Sequence, residues 1–219
     1  MAFTNRLMAA IPSALLLGAA LLPAVARADA TADATADATA GDAARGARIA
    51  YTCFGCHGIP DYRNAYPNYR VPRLGGQHAP YIVAAIAEYR AGTRPHTTMK
   101  SQASSLSERD AADIAAYFAT TQPVLAGGKP VGSAPASAQV CVSCHGKDGV
   151  GISPDYPTLA GQYPDYLAQA LKAYRKGSRQ NAIMGSFVSK LTDEDIDALS
   201  HYFAAQQPAL WVPHAPRAP

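Results

Sequence analysis

The second half of this chain repeats the first at a constant offset of 85 positions. Five segments carry the repeat, and each is paired with its second copy: Leu74–Gln77 and Leu159–Gln162, Tyr89–Gly92 and Tyr174–Gly177, Met99 and Met184, Leu106–Ser107 and Leu191–Thr192, Tyr117–Ala119 and Tyr202–Ala204. Such a duplication restricts the fold to two copies of one unit. Each unit has about 80 residues, which is small for a core built from side chains alone.

The two units are separated by a segment dominated by Gly, Pro and Ser. This composition predicts a linker over residues 124–134. The first unit is then predicted over residues 42–123 and the second over residues 135–211, followed by a tail over residues 212–219.

The N-terminal residues have the composition of a targeting segment. Arg6 precedes an apolar stretch from Leu7 to Ala24, which ends in small residues. This pattern predicts a signal peptide over residues 1–28 and export across the inner membrane into the periplasm of a Gram-negative bacterium. An uncleaved segment would instead anchor the protein to the membrane. The Ala/Thr/Asp repeat that follows predicts a low-complexity leader over residues 29–41.

Each unit contains helix signals and no alternating strand pattern, so the predicted fold class is all-α. Pro80 and Pro164 mark helix starts, because a proline in the first turn costs no hydrogen bond. Glycines at the two Tyr-Arg-x-Gly segments mark helix ends. Ser107 with Asp110, and Thr192 with Asp195, have the spacing of a capping box at the start of a last helix.

All four cysteines lie in two Cys-x-x-Cys-His motifs, Cys53–His57 and Cys141–His145, which are offset by 88 positions. Two such cysteines can bond both vinyl groups of one haem, and the next histidine can ligate its iron. We therefore predict two covalent haem c groups, attached through Cys53, Cys56, Cys141 and Cys144 and ligated by His57 and His145. Disulfides or a zinc site would also use four cysteines, but neither accounts for a histidine after both pairs.

The methionine count predicts the sixth ligand of each iron. Outside the predicted signal peptide the chain has only Met99 and Met184, which occupy matching positions of the repeat. We predict His/Met ligation at both irons, which raises the reduction potential. Other histidines lack repeat partners, although His96 lies three residues from Met99 and is a rival ligand.

Two further features predict what surrounds the haems. A backbone carbonyl in the segments that begin at Pro72 and Pro157 could accept the Nδ1–H of the adjacent ligand histidine. Arg94 and Arg179 recur as Gly-x-Arg, and either a haem propionate partner or a solvated surface position fits them.

With these residues assembled, the chain resembles the di-haem cytochrome c4 family over about residues 43–207. The resemblance implies two tandem class I cytochrome c folds related by a pseudo-twofold axis, with the haem edges near the domain interface. It also implies electron transfer from the bc1 complex towards a terminal oxidase. Residues 61–72 of the first unit fit this family less well, because they are longer and richer in Tyr and Arg than their counterpart.

An iron that has both histidine and methionine as ligands has no open position for a substrate. This predicts an electron carrier rather than an enzyme, so a di-haem peroxidase or thiosulfate-oxidising cytochrome is disfavoured. A cytochrome subunit of a periplasmic dehydrogenase, such as a flavoprotein sulfide dehydrogenase, stays open as the alternative function. The expected partners are redox proteins, and the expected state is a monomer.

The charge of the chain differs between its two units. Residues 43–122 hold nine Lys/Arg against five Asp/Glu, whereas residues 136–210 hold six against seven. We therefore expect the first unit to dock an acidic partner, and the formal charge of +3 without a basic run argues against nucleic acid.

Overall fold

The structure, a computed structural model, describes residues 41–120, 127–207 and 210–215. The predicted signal peptide, leader residues 29–40, residues 121–126 and tail residues 216–219 lie outside this part of the chain. Among the helices that the structure describes, none combines the length and apolar character needed to cross a membrane.

The first half folds into five α-helices, with a short 3-10 turn over Ala50–Thr52 between the first two. In chain order they are α1 Ala43–Ile49, α2 Phe54–His57, α3 Ala79–Ala91, α4 Thr97–Ser104 and α5 Glu108–Thr120. The second half opens with a 3-10 turn over Ala136–Ala138. Its helices are α6 Val142–His145, α7 Pro164–Arg175, α8 Ala182–Val188 and α9 Asp193–Ala204.

The predicted all-α class is confirmed for the described residues, which contain helices and no β-strand. Two isolated antiparallel bridges connect Arg63 with Arg70 and Gly75 with Trp211. The second of these bridges joins the first half to the C-terminal segment.

The helix boundaries follow the local signals in the sequence. Gly92 ends α3 in the left-handed region at φ 81°, which a glycine adopts without a Cβ penalty. Thr192 and Asp195 form a complete capping box at the start of α9. Ser107 and Asp110 make the same reciprocal bonds before α5, at 3.1 Å and 2.9 Å. These contacts satisfy backbone N–H groups that have no partner within the helix.

The core of the first half forms where α1 and α3 pack against α5. Gly46 of α1 lies so close to α5 that a Cβ there would overlap the Asp113 carbonyl oxygen. Arg45 reinforces this crossing through ion pairs to Asp110 and Asp113. Phe54 packs edge-on against Phe118 of α5, with ring centroids 6.0 Å apart. The glycine therefore sets the close approach of α1 that helps to hold the Cys-x-x-Cys-His segment in place.

The second half repeats this core with one difference. Leu167 of α7 packs with Leu199, Tyr202 and Phe203 of α9, as α3 packs on α5. No counterpart of α1 occurs among the residues described in this half, and the 3-10 turn at Ala138 contacts α9 instead.

The C-terminal segment joins the two halves. Leu210 donates its N–H to the Ala160 carbonyl in the second half, and it packs with Val150 and Ala160. Trp211 exchanges both backbone hydrogen bonds with Gly75 in the first half, at 3.0 Å and 3.1 Å. This segment therefore crosses from one half to the other.

Candidate haem-binding sites

The first Cys-x-x-Cys-His motif lines a cavity of about 580 Å³. The one-turn helix α2 brings Cys53, Cys56 and His57 to its wall, and Met99 lines it as well. The Nδ1 of His57 lies 2.8 Å from the Pro72 carbonyl oxygen. Burial lowers the pKa of His57 to about 4, so the ring is neutral at pH 7. A neutral imidazole whose Nδ1 is engaged in this way offers Nε2 to a metal.

The histidine of the second motif has the same kind of backbone partner. His145 is buried, and its Nδ1 lies 3.0 Å from the Pro157 carbonyl oxygen. Burial lowers the pKa of this histidine too. The structure thus brings each histidine to a carbonyl of the segment expected from the sequence, and in both halves this carbonyl is that of the proline.

All four cysteines are half-buried free thiols, and burial raises the pKa of Cys53 and of Cys141. None of them forms a disulfide. In the described part of the chain, no group of three or more His, Cys, Asp or Glu side chains is arranged to hold a metal ion. The thiols are therefore available for thioether bonds.

Each of the two matched methionines of the repeat lies on a short helix with a side-chain cap. Met99 of α4 is half-buried and packs against the first core, whereas Met184 lies on α8. The Met99 N–H is accepted by His96 Nδ1 at 3.2 Å, and the Met184 N–H by Asn181 Oδ1 at 3.0 Å. The repeat therefore preserves the cap while changing the residue that makes it.

The cap on α4 gives His96, the rival ligand of the first iron, a structural role. Its Nδ1 accepts from Met99, so its Nε2 carries the proton and donates to the Asn64 Oδ1, 3.0 Å away. Both ring nitrogens are therefore engaged. The side chain acts as a helix cap that ties α4 to the extended loop of residues 61–72.

Arg94 and Arg179 are buried, with only 6% and 7% of their surfaces exposed. The solvated-surface alternative for these two residues is therefore wrong. Arg94 donates to the Tyr166 hydroxyl of the other half at 2.6 Å, and Arg179 donates to the Tyr81 hydroxyl at 3.3 Å. The two arginines meet at the domain interface from opposite sides.

This interface cluster has more positive than negative charge. Glu88 is the carboxylate that both guanidinium groups approach, at 3.7 Å and 3.8 Å, and the Nε of Arg179 has no hydrogen-bond partner among the described residues. Burial alone would raise the pKa of Tyr81, but Arg94 and Arg179 lower it to about 8. Buried cations require anionic partners. Haem propionates fit this requirement, as the thiols, histidines and apolar cavity fit the haem itself.

Tyr81 and Tyr166 have no role predicted from the sequence, although their signal is present there. Both are tyrosines at the repeat offset of 85, near the start of α3 and of α7. Their hydroxyls are what the two arginines contact across the interface.

The loop over residues 61–72, which is longer than its counterpart, contacts the second half. Arg70 donates its backbone N–H to Asp165 at 3.1 Å, and Arg63 and Arg70 form ion pairs with the same carboxylate. Asp61 donates its N–H to the Tyr163 hydroxyl at 3.0 Å. Part of the positive charge of the first half is therefore neutralised within the molecule.

Known proteins resemble the chain over both halves. The family model described as "Cytochrome c" matches residues 43–122 and again residues 132–206. Cytochrome c4 from Azotobacter vinelandii is 35% identical over 191 residues, covering 74% of this chain and 88% of the relative. The protein named "Thiosulfate dehydrogenase electron acceptor" from Stutzerimonas stutzeri is 31% identical over 172 residues, covering 71% of this chain and 79% of the relative.

A solved structure gives the same result. Reduced recombinant cytochrome c4 from Pseudomonas stutzeri aligns with a TM-score of 0.61 and 31% identity, covering 77% of this chain and all of the solved chain. These matches confirm the two tandem cytochrome c domains, the two covalent haem c groups and the role of an electron-transfer protein rather than an enzyme. The chain belongs to the cytochrome c4 family of di-haem electron-transfer proteins.

Proposed function

We propose that His57 and Met99 ligate the iron of the first haem, and that His145 and Met184 ligate the second. The observation that carries this proposal is the matched geometry of the two halves. In each half the histidine of the Cys-x-x-Cys-His motif has its Nδ1 on a proline carbonyl, and a methionine lies on a capped helix at the same position of the repeat. Cys53, Cys56, Cys141 and Cys144 provide the thioether bonds.

This ligand set defines what the protein's own groups do in electron transfer. The haem supplies one-electron redox chemistry when bound. With His57 and Met99 held by one iron and His145 and Met184 by the other, neither iron would keep an open position for a substrate. The proline carbonyl fixes the orientation of each imidazole. No proton transfer to these side chains is required, because both histidines are held neutral.

In the cell, we assign the protein to the periplasm, where it carries electrons from the bc1 complex to a terminal oxidase. The predicted signal peptide over residues 1–28 and the cytochrome c4 relatives support this place in the respiratory chain. The two haems in one chain allow electrons to pass between the domains.

The second candidate is a cytochrome subunit of a periplasmic dehydrogenase. The relative named as the electron acceptor of a thiosulfate dehydrogenase favours a partner of this class, and a flavoprotein sulfide dehydrogenase is the specific alternative. Both candidates require the same haem ligation, and they differ in the electron donor and in whether the cytochrome is a carrier or a subunit of that donor.

A mass measurement of the purified mature protein tests haem attachment and export together. We expect two haems per chain and an N-terminus near residue 29. One haem per chain, or none, would contradict the attachment of a haem to both Cys-x-x-Cys-His motifs, and an intact N-terminus would indicate a membrane-anchored protein. Reduction rates measured with purified bc1 complex and with a dehydrogenase of sulfur compounds then distinguish the two donors.

A further inference from the structure

Two glutamines, one from each half, cross the domain interface and bind the backbone of the opposite half. Gln77 Nε2 donates to the Thr158 carbonyl at 3.0 Å, and its Oε1 accepts the Thr158 N–H at 2.9 Å. Gln162 makes the equivalent pair with Arg73, donating at 3.0 Å and accepting at 2.9 Å. Both glutamines are buried, with 4% of their surface exposed. Each amide thus satisfies both backbone groups of a single residue in the other domain.

We call the residue whose backbone is bound by the glutamine the clamped residue. In each half it immediately follows the proline whose carbonyl is bonded to the ligand histidine. Thr158 follows Pro157, whose carbonyl is bonded to His145, and Arg73 follows Pro72, whose carbonyl is bonded to His57. The carbonyl of the proline and the N–H of the next residue belong to one planar peptide group. An amide that fixes this N–H therefore also fixes the carbonyl that the histidine uses.

The glutamines are themselves held in place. Gln77 Oε1 also accepts the N–H of His78, and Gln162 Oε1 accepts the N–H of Tyr163, both at 3.0 Å. These two residues are the N-caps of α3 and α7. Each clamp therefore connects the start of a long helix in one domain to the histidine support of the other.

We propose that Gln162 is a positioning residue for His57 and Gln77 a positioning residue for His145, so that each domain sets the axial histidine of its partner domain. This inference rests on the proposed ligation of iron by the two histidines. A firm carbonyl acceptor raises the basicity of a ligand imidazole and stabilises the oxidised metal. Loosening the clamp weakens that hydrogen bond and raises the reduction potential of the haem in the opposite half.

The test uses the holoprotein carrying Gln162→Leu or Gln77→Leu. The readouts are the two reduction potentials and the NMR signals of the axial His Nδ1–H and Met methyl groups, assigned to each haem with Met99 and Met184 variants. We expect Gln162→Leu to shift the potential upward and move the His signal at the first haem, with the second unchanged. Gln77→Leu should do the reverse. A shift confined to the mutated half, or equal shifts at both haems, would overturn the proposal.

Two controls separate positioning from loss of the interface. Thr158→Ala removes the side chain at the clamped residue but leaves its N–H and carbonyl, so the His145 signal should stay in place. If a leucine variant fails to fold, Gln→Met removes the same donor and acceptor with an uncharged side chain closer in length to glutamine, and the same crossed shift is expected. A parent protein that lacks His/Met signals would contradict the ligation itself. A normal parent without crossed shifts would contradict only this inference.

Discussion

Trp211 covers the backbone of Gly75, where a Cβ would overlap the indole ring. The two residues are also joined by both backbone hydrogen bonds of an antiparallel bridge. A residue from the end of the chain therefore occupies the surface beside the segment that supports His57, and it ties the first half to the second.

This contact predicts a strongly non-additive double mutant. Trp211→Ala removes a half-buried aromatic ring and should lower the free energy of unfolding by about 2 kcal/mol. Gly75→Ala should cost about 1–3 kcal/mol in the parent, because the new methyl group overlaps the indole. In the Trp211→Ala background the same change should cost much less. Chemical denaturation of the four proteins measures this coupling, and additive losses would show that the ring does not limit residue 75.

Two helix glycines should respond oppositely to alanine. Gly46→Ala places a Cβ against the Asp113 carbonyl of α5 and should destabilise the protein by about 2 kcal/mol. Gly185 of α8 has open space at that position, so Gly185→Ala should stabilise by about 0.5 kcal/mol through the lower entropy of the unfolded chain. Thermal denaturation monitored by far-UV circular dichroism compares them. Equal effects in the same direction would contradict the close α1–α5 crossing.

Asp110 predicts a stability change in acid. Hydrogen bonds from Ser107, followed by the bond from Arg45, lower the pKa of this carboxyl from 3.8 to about 2. A lowered folded pKa stabilises the protein above pH about 4, and this stabilisation is lost as the pH falls towards 2. Asp110→Asn should therefore cost about 1 kcal/mol at pH 7. The difference from the parent should shrink in urea titrations at pH 2.5, whereas a constant difference would exclude this carboxylate as the cause.

The proposed sixth ligands predict matched spectral losses. Met99→Leu and Met184→Leu keep apolar side chains of similar size but remove the thioether. Each should lose about half of the methionine-to-ferric-iron absorption band, because one of two irons loses its ligand. The double variant should lose the band entirely. A single variant that retains the full band would show that its methionine is not a ligand, with His96→Ala as the next variant to measure.

The charge difference between the halves predicts a salt-dependent encounter. If the first half docks an acidic partner, the second-order rate of electron transfer should fall as ionic strength rises. Arg48→Glu at the exposed end of α1 should slow the reaction at low salt, whereas Lys190→Glu in the second half should change it little. A rate indifferent to salt, or a larger effect from Lys190→Glu, would contradict docking through the first half.

Local signals in the sequence were sufficient for most of the haem chemistry. The Cys-x-x-Cys-His motifs are contiguous, so Cys53, Cys56 and His57 are brought together by one helical turn. The capping boxes and Gly92 act within four residues of the helix ends that they define. The repeat offset then matched Met99 with Met184 without any three-dimensional information.

The relationships between the halves depended on tertiary structure. Gln77 and Thr158 are 81 positions apart, and Gln162 and Arg73 are 89 apart. No periodicity within a helix relates residues at such distances, so the hydrogen bonds of these glutamines to the opposite half could be identified only from the tertiary structure. The same docking buries Arg94 and Arg179, for which the sequence left a propionate partner and a surface position equally open. Sequence alone therefore determined what each domain binds, whereas the packing of the two domains decided how each one supports the other's histidine.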